Sequence, residues 1–411
     1  MPTTTRRGFL AGCSAALVAL AGPRLQGVAL AQPSEGLAGA GSGDALILIV
    51  LRGGFDGLGL VAPISGDDHR FYRSARPTLG LGTDRLLPLD GRFGLHPTAE
   101  ALHGLYSRGR LAIIPAAGTV DRYAAPGAAL ASIQRGGDGL DTGWLTRHLA
   151  SAPGRAEETY VPALTRGAET SALLGSLEHL PLPAGDDLDL GLVEALGPDG
   201  MTALAALHQG DDGLHATGRQ TLSAIEIGAW LEGEAAYRPA AGARYPTGDF
   251  GDALQRTAQM IRLDLGLEAA AIELDGFDLR SDQGPRFADR VALLSEGLGA
   301  LHRDLEGCGA SGRVTVVVMS EMGRTIEENA SRGTDPGHGT AMLVLGDAVH
   351  GGVHGVWPGL APDRRSGGGL AVTTDYRQVL SEVLIRRGGN PNLGRVFPGF
   401  EGYAPLGLVH G

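Results

Sequence analysis

Val314-Thr315-Val316-Val317-Val318-Met319 runs directly into Ser320-Glu321-Met322-Gly323-Arg324-Thr325, and Gly333-Thr334-Asp335-Pro336-Gly337-His338-Gly339 follows shortly after. An unbroken β-branched run belongs at the centre of a parallel sheet, buried on both faces. Ligands of such sheets bind beyond the carboxyl ends of the strands. Glu321 is therefore released at the edge where chemistry takes place. Asp335 and His338 follow on a glycine-rich loop, and carboxylates with an imidazole are what a hard or borderline divalent ion needs. The stretch reads as half of a hydrolase site, with Pro336 standing where a ligand is expected.

The same grammar extends outward. Residues 45–51 (ALILIVL) are the best buried-strand candidate, and 111–114, 269–274 and 342–345 are further apolar strands. Helical spacing marks 98–107, 253–265, 287–304 and 375–387. Strands alternating with helices predict a doubly wound, mostly parallel α/β sheet covered by helices on both faces. The glycine- and acid-rich stretch 180–250 is weakly periodic and reads as an irregular insertion or small helical cap.

The N-terminus reads as an export signal. Thr5-Arg6-Arg7-Gly8-Phe9-Leu10 is a twin-arginine signature, a short apolar run extends to Gly22, and Ala29-Leu30-Ala31 is an A-x-A cleavage pattern. Pro23 and Arg24 close the run before it reaches membrane-spanning length. The expected organisation is a signal peptide over 1–31, a flexible leader over 32–43 and one domain over 44–411, destined for the periplasm or the outside. The twin-arginine translocase is then a partner during export, with the fold assembled beforehand in the cytoplasm.

Losing 1–31 removes three arginines and no acid, taking the formal charge from −12 to −15. That balance argues against nucleic acid and offers no basic face to anionic lipid; no stable membrane insertion is expected. Cys308 is the one cysteine after the signal, so no internal disulfide can form. Stability must come from the core.

Two more loops follow strands. In Arg52-Gly53-Gly54-Phe55-Asp56-Gly57, paired glycines let the backbone approach a ligand, and Asp56 is either a metal or phosphate-site carboxylate or a helix cap. Asp275-Gly276-Phe277-Asp278-Leu279-Arg280-Ser281-Asp282 holds three carboxylates, which either bind metal or are solvated loop acids.

These motifs carry a resemblance. LRGGFDGL (51–58), VAPISGDDHRFYRSARPTL (61–79), DTGWLTRHL (141–149), VVVMSEMGRT (316–325), GTDPGHGTAMLVLG (333–346), TTDYRQVL (373–380) and VFPGF (396–400) together resemble the DUF1501 family, exported bacterial proteins placed within the alkaline phosphatase/sulfatase superfamily. The resemblance implies an alkaline phosphatase-like fold with a metal-assisted ester hydrolase site at the strand ends. It assigns Asp56, Asp278, Glu321, Asp335 and His338 to one or two divalent ions (Zn, Mn, Mg or Ca), and Arg122, Arg280 and Arg324 to a small anionic ester substrate. Three departures run against it. Arg280 replaces a histidine, Pro336 replaces another, and Arg122-Tyr123-Ala124-Ala125 lacks the hydroxyl and imidazole usual there. Arg280 is then expected to pair with Asp278 or Glu321, and Glu321 to anchor Arg324 if it is not a ligand. His350 and His354 are either replacement donors or surface histidines. Two functions follow: metal-dependent hydrolysis of a phosphate or sulfate ester, or a non-catalytic descendant that binds a ligand or an exported partner protein.

Overall fold

The structure is a computed structural model that describes residues 44–121, 126–153, 237–264 and 266–410, the backbone of 25–30, 163–166 and 179–182, and short pieces between 200 and 215. In chain order the strands and helices that matter here are β1 (Leu25–Leu30), β2 (Ala45–Leu51), α1 (Gly57–Leu60), β3 (Val61–Pro63), α2 (Gly66–Ala75), β4 (Leu87–Pro88), β5 (Phe93–Leu95), α3 (Glu100–Ser107) and β6 (Leu111–Gly118). After these come α4 (Pro126–Arg135), α5 (Trp144–Ser151), β7 (Ala163–Arg166), β8 (His179–Leu182), α6 (Asp249–Arg262), β9 (Leu267–Leu274), α7 (Gln283–Gly307) and β10 (Val314–Ser320). The chain ends with β11 (Thr340–Leu345), β12 (Gly352–Val353), β13 (Thr374–Asp375), α8 (Tyr376–Arg386) and α9 (Leu393–Val396).

The main sheet has the order β12-β6-β11-β10-β2-β9-β1-β7-β8, with β13 also on β6. At its centre β10, β2 and β9 are parallel, and β2 and β10 are buried along their whole length. Alternation along β2 splits the core in two. Ala45, Ile47, Ile49 and Leu51 pack with α3, α6 and α7, including Leu254, Leu294 and Leu298. Leu46, Leu48 and Val50 face the other way, with Trp144, Leu149 and the Val379, Leu380 and Val383 face of α8. A two-residue side-chain period on a strand covered on both sides produces this division. The mixed α/β architecture with a mostly parallel sheet thus agrees with the sequence pattern.

Strand β11 departs from the parallel pattern, running antiparallel to both β10 and β6. The 321–339 connection returns without a crossover helix, and a return without a crossover reverses the strand. Strand β1 lies within the segment expected to be an export signal and pairs antiparallel with β9 and β7. Most of 180–250 lies outside the described residues. Where the chain re-enters the domain, Tyr237 and Tyr245 donate to buried Asp304 of α7 at 2.7 and 2.8 Å, and the Ala240 amide donates to its other oxygen at 2.8 Å. Among the described residues no helix is long and apolar enough to cross a membrane.

Candidate functional site

Three loops meet at the carboxyl ends of β2, β9 and β10, and their contact is tight. Gly53 has φ of +109°, and a Cβ on it would sit 2.4 Å from the Asp278 amide nitrogen. Only glycine permits that backbone and that approach. Phe55 follows, its amide donating to the Met322 carbonyl at 2.9 Å while its carbonyl accepts from Thr340 Oγ1 at 2.7 Å. Its ring meets Phe277 edge-on at 5.2 Å and stacks on Phe287 at 5.9 Å.

This framework pulls Asp56 inward. Both Asp56 and Arg76 are almost fully buried. Arg76 Nη1 donates to Asp56 Oδ2 at 2.7 Å and Nη2 to Oδ1 at 2.9 Å, a bidentate pair. Gln283 Nε2 adds a bond to Oδ2 at 2.6 Å. The remaining Arg76 donors go to the Ile326 and Thr325 carbonyls at 2.8 and 2.9 Å. Burial pulls the Arg76 pKa down, but the Asp56 charge and hydrogen bond outweigh it and hold it above its ordinary value.

A second arginine repeats the pattern at Asp278. Arg324 is buried; its Nη1 donates to Asp278 Oδ1 at 3.0 Å and to the Gly53 carbonyl at 3.1 Å, and Nη2 donates to the Thr334 carbonyl. Arg280, half exposed, donates from Nε to the same Asp278 oxygen at 2.9 Å. Partial burial pushes the Asp278 pKa up, but Arg280 and Arg324 hold it below the usual carboxylate value. The two ion pairs are joined: Arg324 Nε donates to Thr334 Oγ1 at 3.3 Å, and Thr334 Oγ1 donates to Gln283 Oε1 at 2.6 Å. Gln283 in turn holds Asp56, so one hydrogen-bonded chain runs from Asp56 to Asp278.

Glu321 is buried beside this chain with neutral partners. Its Oε1 accepts from the Gly53 amide at 2.7 Å and its Oε2 from Ser320 Oγ at 2.9 Å. The expected Glu321–Arg324 pair is replaced by the Arg324–Asp278 pair, because Arg324 reaches across under Gly53 instead of back along its own loop. Asp335 is exposed at the rim, with Asn329 Nδ2 at 3.5 Å from its carboxylate. His338 is half-buried toward β6; its Nε2 lies 2.9 Å from the Thr119 carbonyl and its Nδ1 2.9 Å from Ser366 Oγ. Arg122 lies outside the described residues. His350 contacts His410 at 2.6 Å, and His354 contacts the His350 carbonyl at 2.8 Å, near the amino end of β12 and away from these loops.

The donor set does not fit a divalent ion. Asp56 and Asp278 are neutralised by arginines, Glu321 is engaged by an amide and a hydroxyl, and His338 uses both ring nitrogens. Among the described residues no three His, Cys, Asp or Glu side chains converge on a point where a metal would sit. Arg76, Gln283, Thr334 and Ser366 were not foreseen. Arg76 ends α2 just before Pro77, where it reads as an ordinary capping residue. Ser366 carried a signal, since Ser366-Gly367-Gly368-Gly369 spells a tight turn.

The geometry thus defines an α/β protein whose strand-end loops are cross-linked by internal ion pairs. A family model described as "Protein of unknown function (DUF1501)" matches residues 235–368, the segment that contains Asp278, Glu321, Arg324, Asp335 and His338. No curated protein matches the chain. A solved structure, that of Ps i-CgsB in complex with k-i-k-neocarrahexaose, is similar at 12% identity and a TM-score of 0.35, covering 85% of this chain and 72% of that one. A likeness at that level carries no argument about fold or ligand.

Proposed function

We propose that this chain is an exported DUF1501 protein of alkaline phosphatase/sulfatase-like descent whose strand-end site works without a divalent metal. It takes a polar ligand or an exported partner at the rim, and does not hydrolyse a phosphate or sulfate ester through metal-bound water. The observation that carries this reading is the Arg76–Asp56 pair. A guanidinium bonded through both terminal nitrogens to a buried carboxylate supplies the positive charge that a metal would otherwise bring. Displacing it with an ion would bury an unpaired arginine. Arg280 and Arg324 each donate to Asp278 Oδ1, which ties two of the three expected substrate arginines into pairs within the chain.

The test is metal content. The full chain, purified without chelator or affinity metal and then incubated with Zn, Mn, Mg or Ca, is expected to stay metal-free by elemental analysis while remaining folded. Stoichiometric metal that disappears in Asp56→Ala or His338→Ala would overturn the reading and restore the metallohydrolase. The export half of the proposal is checked separately. Arg6→Lys with Arg7→Lys is expected to trap the protein in the cytoplasm, and periplasmic recovery of that variant would refute twin-arginine export.

A further inference from the structure

Beside the locked loops, His338 and Ser366 are hydrogen-bonded to each other. His338 Nε2 faces the Thr119 carbonyl at 2.9 Å. A carbonyl only accepts, so Nε2 carries a ring proton, and in the neutral ring Nδ1 then carries the lone pair. That lone pair is 2.9 Å from Ser366 Oγ, which donates to it. A serine hydroxyl bonded to an imidazole, itself held in one tautomer by a third group, is the arrangement of an activated nucleophile. Both side chains are half-buried, so a reactant can reach them.

The surroundings hold the pair in place. Ser366 opens a two-residue turn in which its amide donates to the Gly369 carbonyl at 2.9 Å and the Gly369 amide returns a bond at 3.0 Å. Gly367 and Gly368 both have positive φ, +56° and +82°, which that turn requires. A Cβ on Gly369 would lie 2.6 Å from the His338 amide nitrogen, so the turn is pressed directly against the histidine's backbone. Among the described residues the Gly367 and Gly368 amides make no hydrogen bond, and both residues are exposed. The amide after a nucleophilic serine commonly stabilises the developing oxyanion.

We infer that Ser366 and His338 form a metal-free nucleophile–base pair for acyl transfer from a carboxylic ester. The inference deepens the metal-free reading above and rests on it. In the first step the Ser366 Oγ–carbonyl carbon bond forms and the Oγ proton passes to His338 Nδ1. The carbon–alkoxide bond then breaks, and the alcohol leaves with that proton. In the second step water, deprotonated by His338, attacks the acyl carbon and releases the carboxylic acid, restoring the serine hydroxyl. No oxidant, metal or cofactor enters the balance. A neutral carbonyl needs no fixed cation for binding, which suits a loop whose Arg365 is already paired with Glu327 at 2.9 Å.

The test uses an alkyl phosphonofluoridate probe on the full-length protein. Attack by Ser366 Oγ forms an O–P bond and expels fluoride, leaving a mass tag located by peptide mass spectrometry. Tagging at Ser366 is expected. It should be absent in Ser366→Ala and slowed by about 10²- to 10⁴-fold in His338→Gln. Thermal melts of both variants show whether the loss reflects unfolding, and Ser366→Cys, labelled by iodoacetamide faster than Cys308, gives an independent readout. No label on wild-type protein, or label at another residue, overturns the pair. Metal analysis of the same sample keeps the two ideas apart. A metal-free, unlabelled protein defeats the nucleophile alone, whereas bound metal defeats the metal-free reading on which it stands.

Discussion

The two halves of the sheet's carboxyl edge have opposite characters. At β2, β9 and β10 three acids are tied to partners within the chain: buried Asp56 by Arg76 and Gln283, buried Glu321 by Gly53 and Ser320, and the more exposed Asp278 by Arg324 and Arg280. At β6 and β11 the His338–Ser366 pair is half-buried, and the His338 ring is oriented by the Thr119 carbonyl. The first half spends its polar groups on holding loops together. The second leaves a proton-transfer pair within reach of solvent. Residue types alone therefore do not locate a site; the partners of each group decide whether it is scaffold or chemistry.

The sharpest way to break this contrast is to empty the locked half. Arg76→Ala leaves the Asp56 charge buried beside one glutamine, and removing one partner of a buried pair costs about 3–5 kcal/mol. Urea denaturation is expected to show that loss. The double variant Arg76→Met with Asp56→Leu should recover most of it, because no uncompensated charge remains. An Arg76→Ala variant as stable as wild type would mean that the pair is not holding the loops.

His96 extends the locked half toward β5. Burial pushes its imidazole pKa down to about 4; Asp56 opposes the shift and Arg85 adds to it. Its ring stands edge-on to Phe287 at 5.7 Å, and its Nδ1 accepts from the Thr98 amide at 3.3 Å. The folded state thus favours the neutral ring, whereas the unfolded chain protonates near its ordinary value of about 6.5. The stabilisation is complete above about pH 6.5 and is lost as pH falls from there toward 4, amounting to about 2–3 kcal/mol. His96→Gln is expected to flatten this part of the stability–pH curve. An unchanged acid limb would place the titrating group elsewhere.

Gly53→Ala probes the seam between the first two loops at lower cost. Its φ of +109° and the 2.4 Å approach to Asp278 require the loops to part. Strain of this kind is worth about 1–3 kcal/mol. The expected result is a lower denaturation midpoint with an unchanged slope, and no loss at all would contradict the close packing.

How much of this could be read from the chain follows the same division. The β2 and β10 runs and the helix periods gave the sheet and its two covered faces, because burial on both sides writes itself as continuous apolar sequence. Helix 287–304 was too short by several residues at its N-terminal end, where Gln283 serves the Asp56 network. The reversal of β11 was not legible, since a strand's direction depends on the path of its connection. The loops carrying Asp56, Asp278 and Glu321 were correctly placed at strand ends, but their partners were not. Arg76 is 20 residues from Asp56, and Thr334 is 51 from Gln283. Nothing in a local pattern distinguishes an arginine that will be buried from one at the surface.

Ser366→Ala gives the smallest expected stability change and the sharpest discrimination between the two halves. Ser366 is half-buried on a turn closed by its own backbone, and among the described residues its hydroxyl bonds to His338 alone. Truncation away from the core usually shifts stability by less than about 0.5 kcal/mol. A near-zero effect, set against the large loss for Arg76→Ala, is what a group kept for chemistry should show. If Ser366→Ala instead costs as much as Gly53→Ala, then His338 is leaning on Ser366 for its position, and the β6–β11 half of the edge is scaffold as well.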